Sequence, residues 1–540
     1  MAENRLGLAV VKVDGRELAA DSYRRLAEVR VEESTALPDL MELRFTDPTF
    51  DLFDAGTIEV GARIEIALRA EGDPVIVSSG EITAVAVEPG LTGRHEFVVT
   101  AMDLSHRLAR VPKRRTFVSM SDADIADQIA AEYSLTAQID RGGATHDHVL
   151  QANETDLAFL RRRAVRNGQS VWVTGDTLHV ARRSPGSHVP KLTWGANLLE
   201  FDARFSSTER ADQVEVRAWD AVAKQAIVGT ASDPDARTDA QASDKAINGA
   251  KDAFGRIERT SVAVVVADQQ EADAVATALL ARSADDGVLL RGVAVGDPEI
   301  AAGDQIELEE VGQRLAGRYT ATAVIHRWSS SEPYTTQFSC GPQLPAGLAD
   351  LVAPPQSELR AVLPHLMAAQ VTNTDDPLRL GRAKVSLPSL SAQDESWWAR
   401  LIVPGGGPDR GIQWLPEVGD EVVVGFEQGD PTRPYVLGGV WNDSDPPPEP
   451  DAAQNGSTER WCFVTRKGTK VILHDDPTEK IEILVADTGT SLTMSRDEVS
   501  LIGAQKLVIE AQQIEIKAQQ NLKLAGQAEV AVTGGMIKLN

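Results

Sequence analysis

The sequence has few of the residues that build disulfides, metal sites or basic surfaces. It contains only two cysteines, Cys340 and Cys462, which are too few for a disulfide framework and lack the paired spacing of a zinc site. Lysine and arginine total 54 against 80 aspartates and glutamates, a formal net charge of −26. Because phosphate binding needs clustered cations, this balance argues against nucleic acid or anionic lipid as the main partner. A reducing compartment fits the low cysteine content.

Long apolar runs are also missing. The longest, such as residues 262–267, are far shorter than the roughly 20 residues that cross a bilayer. The N-terminal segment has one early arginine and an apolar run interrupted by Lys12 and Asp14, unlike a signal peptide. We therefore predict no signal peptide, no transmembrane segment, and synthesis and assembly in the cytoplasm.

The chain has 540 residues, of which 42% are hydrophobic, so it can form three or four domains. Residues 1–342 are predicted as mixed α and β, with strands of small barrels at 58–60 and 64–68. Apolar spacing and capping residues predict three helices, at residues 121–133, 155–167 and 271–281.

Two features of this N-terminal region are predicted to lie on the surface. The run Arg161-Arg162-Arg163 is expected to form a solvated face. Residues 229–255 have few large apolar side chains and are predicted as a surface excursion.

Proline-rich stretches divide the rest of the chain. Residues 343–371 are predicted as a linker, because proline cannot continue a helix interior or a central strand. A compact all-β module follows at 372–442, with strands expected at 382–387, 398–403 and 421–426. Residues 443–470 contain Pro446-Pro447-Pro448 and are predicted as a stiff neck.

The last 70 residues, 471–540, carry a repeat of apolar-x-apolar triplets. Six triplets begin 8, 7, 8, 8 and 7 residues apart, which favours strands over a helix. Three earlier triplets extend the repeat: Val471/Leu473, Ile481/Ile483 and Leu492/Met494. The six regular triplets are Val499/Leu501, Leu507/Ile509, Ile514/Ile516, Leu522/Leu524, Val530/Val532 and Ile537/Leu539.

A period near eight supplies about one strand and a corner, too little for one chain to complete a three-sided rung. A single copy would expose its apolar stripe and its sheet edges. We therefore predict an obligate homotrimer whose triplets face the interior of an intertwined β-helix. The alternative is a flat meander of β-hairpins; the near absence of two-residue glycine turns argues against it.

The β-module carries motifs that closely resemble a known family. DPLRLGRAKVSLP (376–388) is followed by ESWWARLIVPGGGPDRGIQWLPEVGDEVVVGFEQGDPTRPYVLGGVWN (395–442). These resemble the OB-fold core of VgrG spike proteins and their relatives in contractile phage tails and extracellular contractile injection systems. Upstream segments at 156–168, 216–229 and 296–338 are similar to the tail-hub part of that family.

The resemblance implies a mainly β, multi-domain protein with some α-helix. It implies two barrel-like tail-hub domains in residues 1–342, an OB-fold, and a C-terminal intertwined trimeric β-helix. It further implies a structural central spike that joins the inner tube and baseplate to a puncturing tip and pierces a target envelope on sheath contraction. The implied partners are a hexameric inner-tube protein, baseplate proteins, a PAAR-type tip protein and cargo effectors, with transient membrane contact and possible release in a phage-tail-like particle.

No enzymatic addition is expected. Some phages insert a lysozyme domain between the OB-fold and the β-helix, but residues 443–470 are too few for one. The sequence ends one residue beyond the last triplet, so we expect no effector extension. An enzymatic spike with cell-wall hydrolase activity remains an alternative, as does an OB-fold protein that binds nucleic acid or oligosaccharide.

Candidate chemical motifs have simpler interpretations. We interpret residues 404–408 as a turn rather than a phosphate cradle, His146-Asp147-His148 as a polar loop rather than a metal site, and His326 as structural. Acidic pairs such as Asp375-Asp376 are expected to be solvated. Five tryptophans are expected to pack in the core or between subunits: Trp397, Trp398, Trp414, Trp441 and Trp461. We therefore expect no catalytic residue, cofactor or metal.

The last seven residues end the shaft without charge clustering. We predict that three copies form a partly apolar platform for the tip protein. The residues assigned to this platform are Gly534, Gly535, Met536, Ile537, Leu539 and Asn540.

Overall fold

The computed structural model describes residues 7–538, except 71, 91–92, 184–187, 208–210, 221–222, 233–252, 262–265, 267, 286, 342–365, 487 and 504. The chain divides into two compact units, Met1–Val440 and Trp441–Asn540. The fold is mainly β with a few helices, as the sequence predicts.

The first part of the larger unit is a barrel-like sheet around one core. Alternating apolar residues such as Val29, Val31, Met41 and Leu43 point inward from neighbouring strands. Its elements are β1 (Leu8–Val13), β2 (Arg16–Glu17), α1 (Ala20–Arg25), β3 (Leu26–Ser34), β4 (Leu40–Thr46), α2 (Asp51–Asp54), β5 (Arg63–Arg69), β6 (Val75–Pro89), β7 (His95–Met102) and α3 (Ser105–Leu108).

The predicted strand at 64–68 is confirmed within β5, but the one at 58–60 is wrong. Residues 58–60 lie in an irregular turn between Gly56 and Gly61, whose φ angles are +60° and +94°. The Ala62 amide donates to the Glu59 carbonyl, which closes a turn across residues 59–62 in place of a strand.

A second core lies between two helices and the strands around them. The predicted helices at 121–133 and 155–167 are confirmed, with Ser121 making a capping box with Asp124 and Thr155 capping the second helix. The elements are β8 (Pro112–Ser121), α4 (Asp122–Glu132), β9 (Thr136–Ile139), β10 (Thr145–Thr155), α5 (Asp156–Arg166), β11 (Ser170–Thr174) and β12 (Thr177–Ala181).

The next segment supplies two further cores and the third predicted helix. Gly229 lets that helix approach the sheet closely, since an added Cβ would lie 2.2 Å from the Ala272 carbonyl carbon. The elements are β13 (Lys191–Thr193), β14 (Leu198–Phe205), β15 (Gln213–Asp220), β16 (Gln225–Ala231), β17 (Glu258–Ser261), α6 (Gln269–Asp285), β18 (Val288–Val295), β19 (Gln305–Glu309), β20 (Gly317–Ser329) and β21 (Thr335–Cys340).

Strand β20 pairs with β3 and so joins the first and third cores in one sheet. His326 on β20 is buried there, with its ring nitrogens 2.7 Å from the Tyr334 hydroxyl and 3.1 Å from the Ile300 carbonyl. These bonds satisfy both nitrogens within the protein. Most of the predicted excursion at 229–255 lies outside the described residues, although residues 229–231 belong to β16.

The β-module of the structure is a six-stranded sheet, and we use this name for residues 366–440. It begins at Met367 rather than 372, so the described end of the predicted 343–371 linker already belongs to a strand; residues 343–365 lie outside the described part. The elements are β22 (Met367–Asn373), β23 (Lys384–Leu387), β24 (Ser391–Glu395), β25 (Arg400–Leu401), β26 (Glu421–Phe426), a 3₁₀ turn (Glu427–Gly429) and β27 (Pro434–Gly439).

The smaller unit contains a short hairpin and a five-stranded antiparallel sheet. Each strand of the sheet pairs with the next along the chain, from β30 to β34. The elements are β28 (Ala453–Gln454), β29 (Ser457–Thr458), β30 (Arg460–Val464), β31 (Lys470–His474), β32 (Lys480–Leu484), β33 (Ser491–Met494) and β34 (Val499–Ile502). The predicted neck at 443–470 thus includes the hairpin and the first strand of this sheet.

Candidate assembly surface

The register of the five-stranded sheet places the apolar triplets on one face. Leu473 lies opposite Ile481, Ile483 opposite Leu492, and Met494 opposite Val499. Side chains at such paired positions have Cβ atoms about 4.5–5.5 Å apart and touch across the strands. We call this set the apolar face: Trp461, Phe463, Val471, Leu473, Ile481, Ile483, Leu492, Met494, Val499 and Leu501.

The apolar face is uncovered in a single chain. Phe463 is 58% exposed and Val499 is 70% exposed, although both lie in regular strands. Eight of the ten side chains are exposed, and Val471 and Leu492 are half-buried. Fully burying one such side chain contributes about 1.5–3 kcal/mol, so this row is a large unused source of stability. A partner that covers this face would gain the free energy of burying these side chains.

The opposite face of the same sheet is polar and paired within the chain. Ile472 is buried there at 3% exposure, with Cys462 and Glu482 opposite it on the two neighbouring strands. His474 lies 3.2 Å from Glu482 and 3.5 Å from Asp476. A hydrogen bond from Lys480 holds the pKa of Glu482 below its ordinary value. The charged groups of this face thus have partners within the chain, although Ile502 at its edge is 54% exposed.

The regular triplets after Gly503 are exposed and outside any strand. Residues 505–538 are described and contain no strand. The triplet residues on this segment, all at least half exposed, are Leu507, Ile509, Ile514, Ile516, Leu522, Leu524, Val530, Val532 and Ile537. Leu539 lies outside the described residues. A single chain therefore provides no core for these side chains.

Two arrangements were considered for residues 471–540, an intertwined β-helix and a meander of β-hairpins, and the two parts of this segment differ in how they compare with the meander. Between residues 460 and 502 the strands form successive antiparallel pairs, as in the meander alternative, so the scarcity of two-residue glycine turns does not exclude a meander there. Four- to six-residue connections with Gly468 and Gly489 join the first strands instead. Residues 505–538 do not continue that meander. The intertwined β-helix stays a prediction.

The predicted tip platform is exposed as far as it is described. Gly534, Gly535, Met536 and Ile537 are all accessible, and Met536 is 78% exposed. Leu539 and Asn540 lie outside the described residues. Their role in docking stays a prediction.

The β-module also leaves apolar side chains in the open. Two of its loops are neighbours, because a Cβ added at Gly381 would lie 3.5 Å from Cδ2 of Leu415. Large apolar residues are exposed along both loops: Leu378, Leu380, Ile412, Trp414, Leu415 and Val418. We call this set the loop patch.

The tryptophans only partly follow the prediction of core packing. Trp414, Trp441 and Trp461 are exposed in a single chain, Trp441 by 70%. Trp397 and Trp398 are partly buried and lie within 6 Å of the Lys384 ammonium group. Core packing is therefore wrong for the three exposed residues, whereas packing between subunits stays a prediction.

The arginine run predicted to be solvated is instead buried or bonded. Arg163 and the buried Arg166 reach across to other helices, with Arg163 Nε 2.7 Å from Asp122 and Arg166 2.6 Å from Glu271. Burial opposes ionisation of Asp122, but the Arg163 guanidinium holds its pKa well below the ordinary range. Arg161 and Arg162 also bond to protein groups. The error has a physical cause: long arginines can reach partners that sequence spacing does not reveal.

The remaining candidate motifs have structural roles. Residues 404–408 form a turn, as predicted. His146-Asp147-His148 was predicted as a loop, which is wrong, because all three lie in β10. Asp376 was expected to be solvated, but it is buried in a 2.6 Å ion pair with Arg382. Within the described residues, no group of three or more potential ligands could hold a metal ion.

Sequence reasoning missed a joint between the N-terminal region and the β-module. Strands β8 and β10 form a two-stranded ribbon, and Leu150 from this ribbon is buried in the β-module core with Val371, Val385 and Val424. Arg433 of the β-module donates to the Val266 carbonyl. Contacts between residues more than 160 positions apart leave no periodic signal in the sequence.

The described helices include none that is both long and apolar enough to cross a membrane.

Comparison with known proteins identifies the family. Residues 6–330, more than half of the chain, match the Alg8 N-terminal domain, and residues 367–441 match the type VI secretion system/phage-baseplate injector OB domain. The type VI secretion system spike protein VgrG1b of Pseudomonas aeruginosa is 27% identical over 23% of this chain and 18% of its own length. VgrG1c of the same organism is 34% identical over 17% of this chain and 12% of its own length.

The aligned segments thus span less than a fifth of either relative. A solved Francisella PdpA-VgrG complex is similar in fold, with a TM-score of 0.53 and 10% identity over 92% of this chain and 80% of that chain. With the sheets described above, these matches confirm the expected fold class and the resemblance to spike proteins. The chain belongs to the Alg8 N-terminal domain family and resembles VgrG spike proteins.

Proposed function

We propose that three copies of this chain assemble into the central spike of a contractile injection machine. The spike would join the inner tube and baseplate to a puncturing tip and pierce the target envelope on sheath contraction. The observation that carries the proposal is the open apolar face, a regular sheet surface with no cover from its own chain.

Self-association fits the apolar face better than a small ligand does. The face is a flat strip of cross-strand pairs, and the exposed triplets of residues 505–538 extend the same pattern along the sequence. Three identical strips can cover one another and also satisfy free strand edges. The loop patch supplies a second apolar surface that assembly could bury.

The domain roles follow from this assembly. Residues 1–342 would form the tail hub that meets a hexameric tube ring and baseplate proteins, and the β-module would connect it to the β-helix of residues 471–540. Residues 534–540 would dock a PAAR-type tip protein. Cargo effectors and transient contact with the target membrane complete the proposed partners of a phage-tail-like particle that is assembled in the cytoplasm.

The trimer is tested by substituting Ile516 in the full chain. Ile516→Asp would place three carboxylates in an apolar interior, so we expect loss of the trimer on size exclusion with light scattering. Lys517→Asp is the matched control, because it adds a carboxylate to the next, polar position of the same repeat. An unchanged trimer in Ile516→Asp would contradict the inward placement of the triplets.

The tip platform is tested by deletion. Removing residues 534–540 should abolish binding of the tip protein in a pull-down while trimers persist. Retained binding would contradict the assignment of these residues.

We further propose that the chain has a mechanical and not an enzymatic role. The rival is cell-wall hydrolase activity. We expect no turnover of peptidoglycan by the purified trimer, and turnover above that of a buffer control would contradict the mechanical role.

A further inference from the structure

The joint between the β8–β10 ribbon and the β-module contains a histidine at its contact point. The Nε2 atom of His148 lies 3.1 Å from the Glu395 carbonyl oxygen of β24. Its ring stacks on Trp397, with 5.9 Å between centroids and 26° between planes. Next to it, Thr116 donates to the Asp394 carboxylate over 3.3 Å, and Leu150 is buried in the β-module core.

The hydrogen bond defines the protonation state that fits this joint. A carbonyl oxygen only accepts, so Nε2 carries the proton and Nδ1 carries a lone pair in the neutral ring. Nδ1 is enclosed and has no hydrogen-bond partner among the described residues. A second proton would therefore place both a charge and an unpaired N–H inside the joint, which costs free energy.

The groups around His148 both raise and lower its pKa. Burial lowers its pKa, and the Lys384 ammonium lowers it further; the Glu395 carbonyl and the Asp394 carboxylate oppose these effects. Lys384 also lies 3.5 Å from the Glu395 carboxylate and 5.7 Å from the Trp397 ring. From the ribbon, Val118 of β8 is directly opposite His148, and Asp147 precedes it in β10. The net effect favours the neutral ring.

We propose that this contact is an acid-sensitive latch between the ribbon and the β-module, closed while His148 is neutral and released when Nδ1 takes a proton from solvent. The sign follows from linkage: a lowered pKa in the closed state means that the latch contributes stability above the ordinary histidine value. That contribution is lost as the pH falls through the lowered pKa. Acidification would thus loosen the ribbon from β24 while the cores of both regions stay folded.

Hydrogen exchange of the full-length protein at pH 7.0 and 5.0 tests the latch, after correction for intrinsic chemical exchange. Peptides covering β24 and β10 should exchange faster at pH 5.0, by about tenfold for each pH unit by which closure lowers the His148 pKa. Peptides from β4, in the first core, should show no corrected change. A pH-independent rate in the β24 and β10 peptides would overturn the proposal.

Two substitutions separate the latch from general acid sensitivity. His148→Phe keeps an aromatic ring on Trp397 and cannot take a proton, so the pH dependence should disappear. His179→Phe is the matched control, because His179 stacks on Trp172 at 4.7 Å and burial likewise lowers its pKa. It should respond as the wild type does. If His148→Phe does not fold, His148→Gln serves as the uncharged variant, and a wild-type pH response in whichever variant folds would overturn the proposal.

Discussion

Both units of this protein contain strands with alternating apolar and polar side chains, but only the larger unit buries most of its apolar side chains. In residues 7–440 the inward side chains of neighbouring strands meet in five hydrophobic cores. In residues 441–538, Ile472 is the only buried hydrophobic residue among those that the structure describes. Regular hydrogen bonding in a strand therefore does not show that its apolar side chains are covered.

The two units differ in whether a single chain can bury its own apolar side chains. The barrel-like sheet of β1 to β7 buries its apolar side chains against one another, so its stability does not depend on a second chain. The apolar face has no such cover, so we expect its stability to depend on the concentration of the chain. The predictions below compare the two units, from the largest expected effect to the smallest.

The largest effect is expected for Leu492 on the apolar face. Leu492→Asp should dissociate the trimer, because it would bury uncompensated charge at a cost of several kcal/mol. Thr493→Asp alters the next residue of β33, on the polar face, and should leave the trimer intact. Sedimentation velocity distinguishes the two variants. If both variants sediment alike, the two faces of the sheet do not differ in their contribution to the trimer.

An ion pair in the larger unit should contribute more to the free energy of unfolding than an ion pair in the smaller unit. Arg163→Ala leaves Asp122 without its buried partner and should lower the free energy of unfolding by about 3–5 kcal/mol. Arg496→Ala removes a pair with Glu479 in which the side chains are 75% and 59% exposed, and should cost less than about 1 kcal/mol. Denaturant titration measures both, followed by helical circular dichroism for Arg163→Ala and by hydrogen exchange of the β32 and β33 peptides for Arg496→Ala. A larger loss for Arg496→Ala would contradict this contrast.

A carboxyl group in the larger unit should make stability depend on pH. Burial, with the nearby Asp103 and Glu33 carboxylates, raises the pKa of Asp39 from 3.8 to about 8. The folded state then holds a proton that the unfolded chain releases, so the wild type loses stability as the pH rises from about 4 to 8.

Asp39→Asn removes this titration. Its advantage over the wild type should be absent near pH 4 and should grow steadily as the pH rises to 8. Thermal unfolding at pH 4, 6 and 8 measures it. An advantage that is constant with pH would show that Asp39 does not hold the proton.

The smallest effect is expected at a helix cap. Ser121→Ala removes the side-chain oxygen that accepts from the Asp124 amide and should cost about 1 kcal/mol. Ser457→Ala, at an exposed position of the short hairpin in the smaller unit, should change stability by less than about 0.5 kcal/mol. Thermal unfolding compares the two. A greater loss for Ser457→Ala would contradict this ranking.

Local patterns in the sequence predicted local structure well. The cap at Ser121 and the apolar spacing after it gave the helix at 122–132, and the i, i+2 pairing gave the strands at Leu473, Ile483 and Leu492. The shared face of these triplets also followed from the two-residue period of a strand.

Contacts between distant segments could not be predicted in this way. The burial of Arg163 against Asp122, the insertion of Leu150 into the β-module core and the stacking of His148 on Trp397 depend on long-range packing. Neither composition nor periodicity records such packing. The 343–371 segment likewise suggested a separation, whereas residues 7–440 form one compact unit with a direct joint.

Native mass spectrometry of the full-length chain at low micromolar concentration tests the central claim most directly. We predict a folded species of three chains, with little folded single chain at equilibrium. A folded, soluble species of one chain that persists across concentrations would contradict the claim that the apolar face is completed by identical copies.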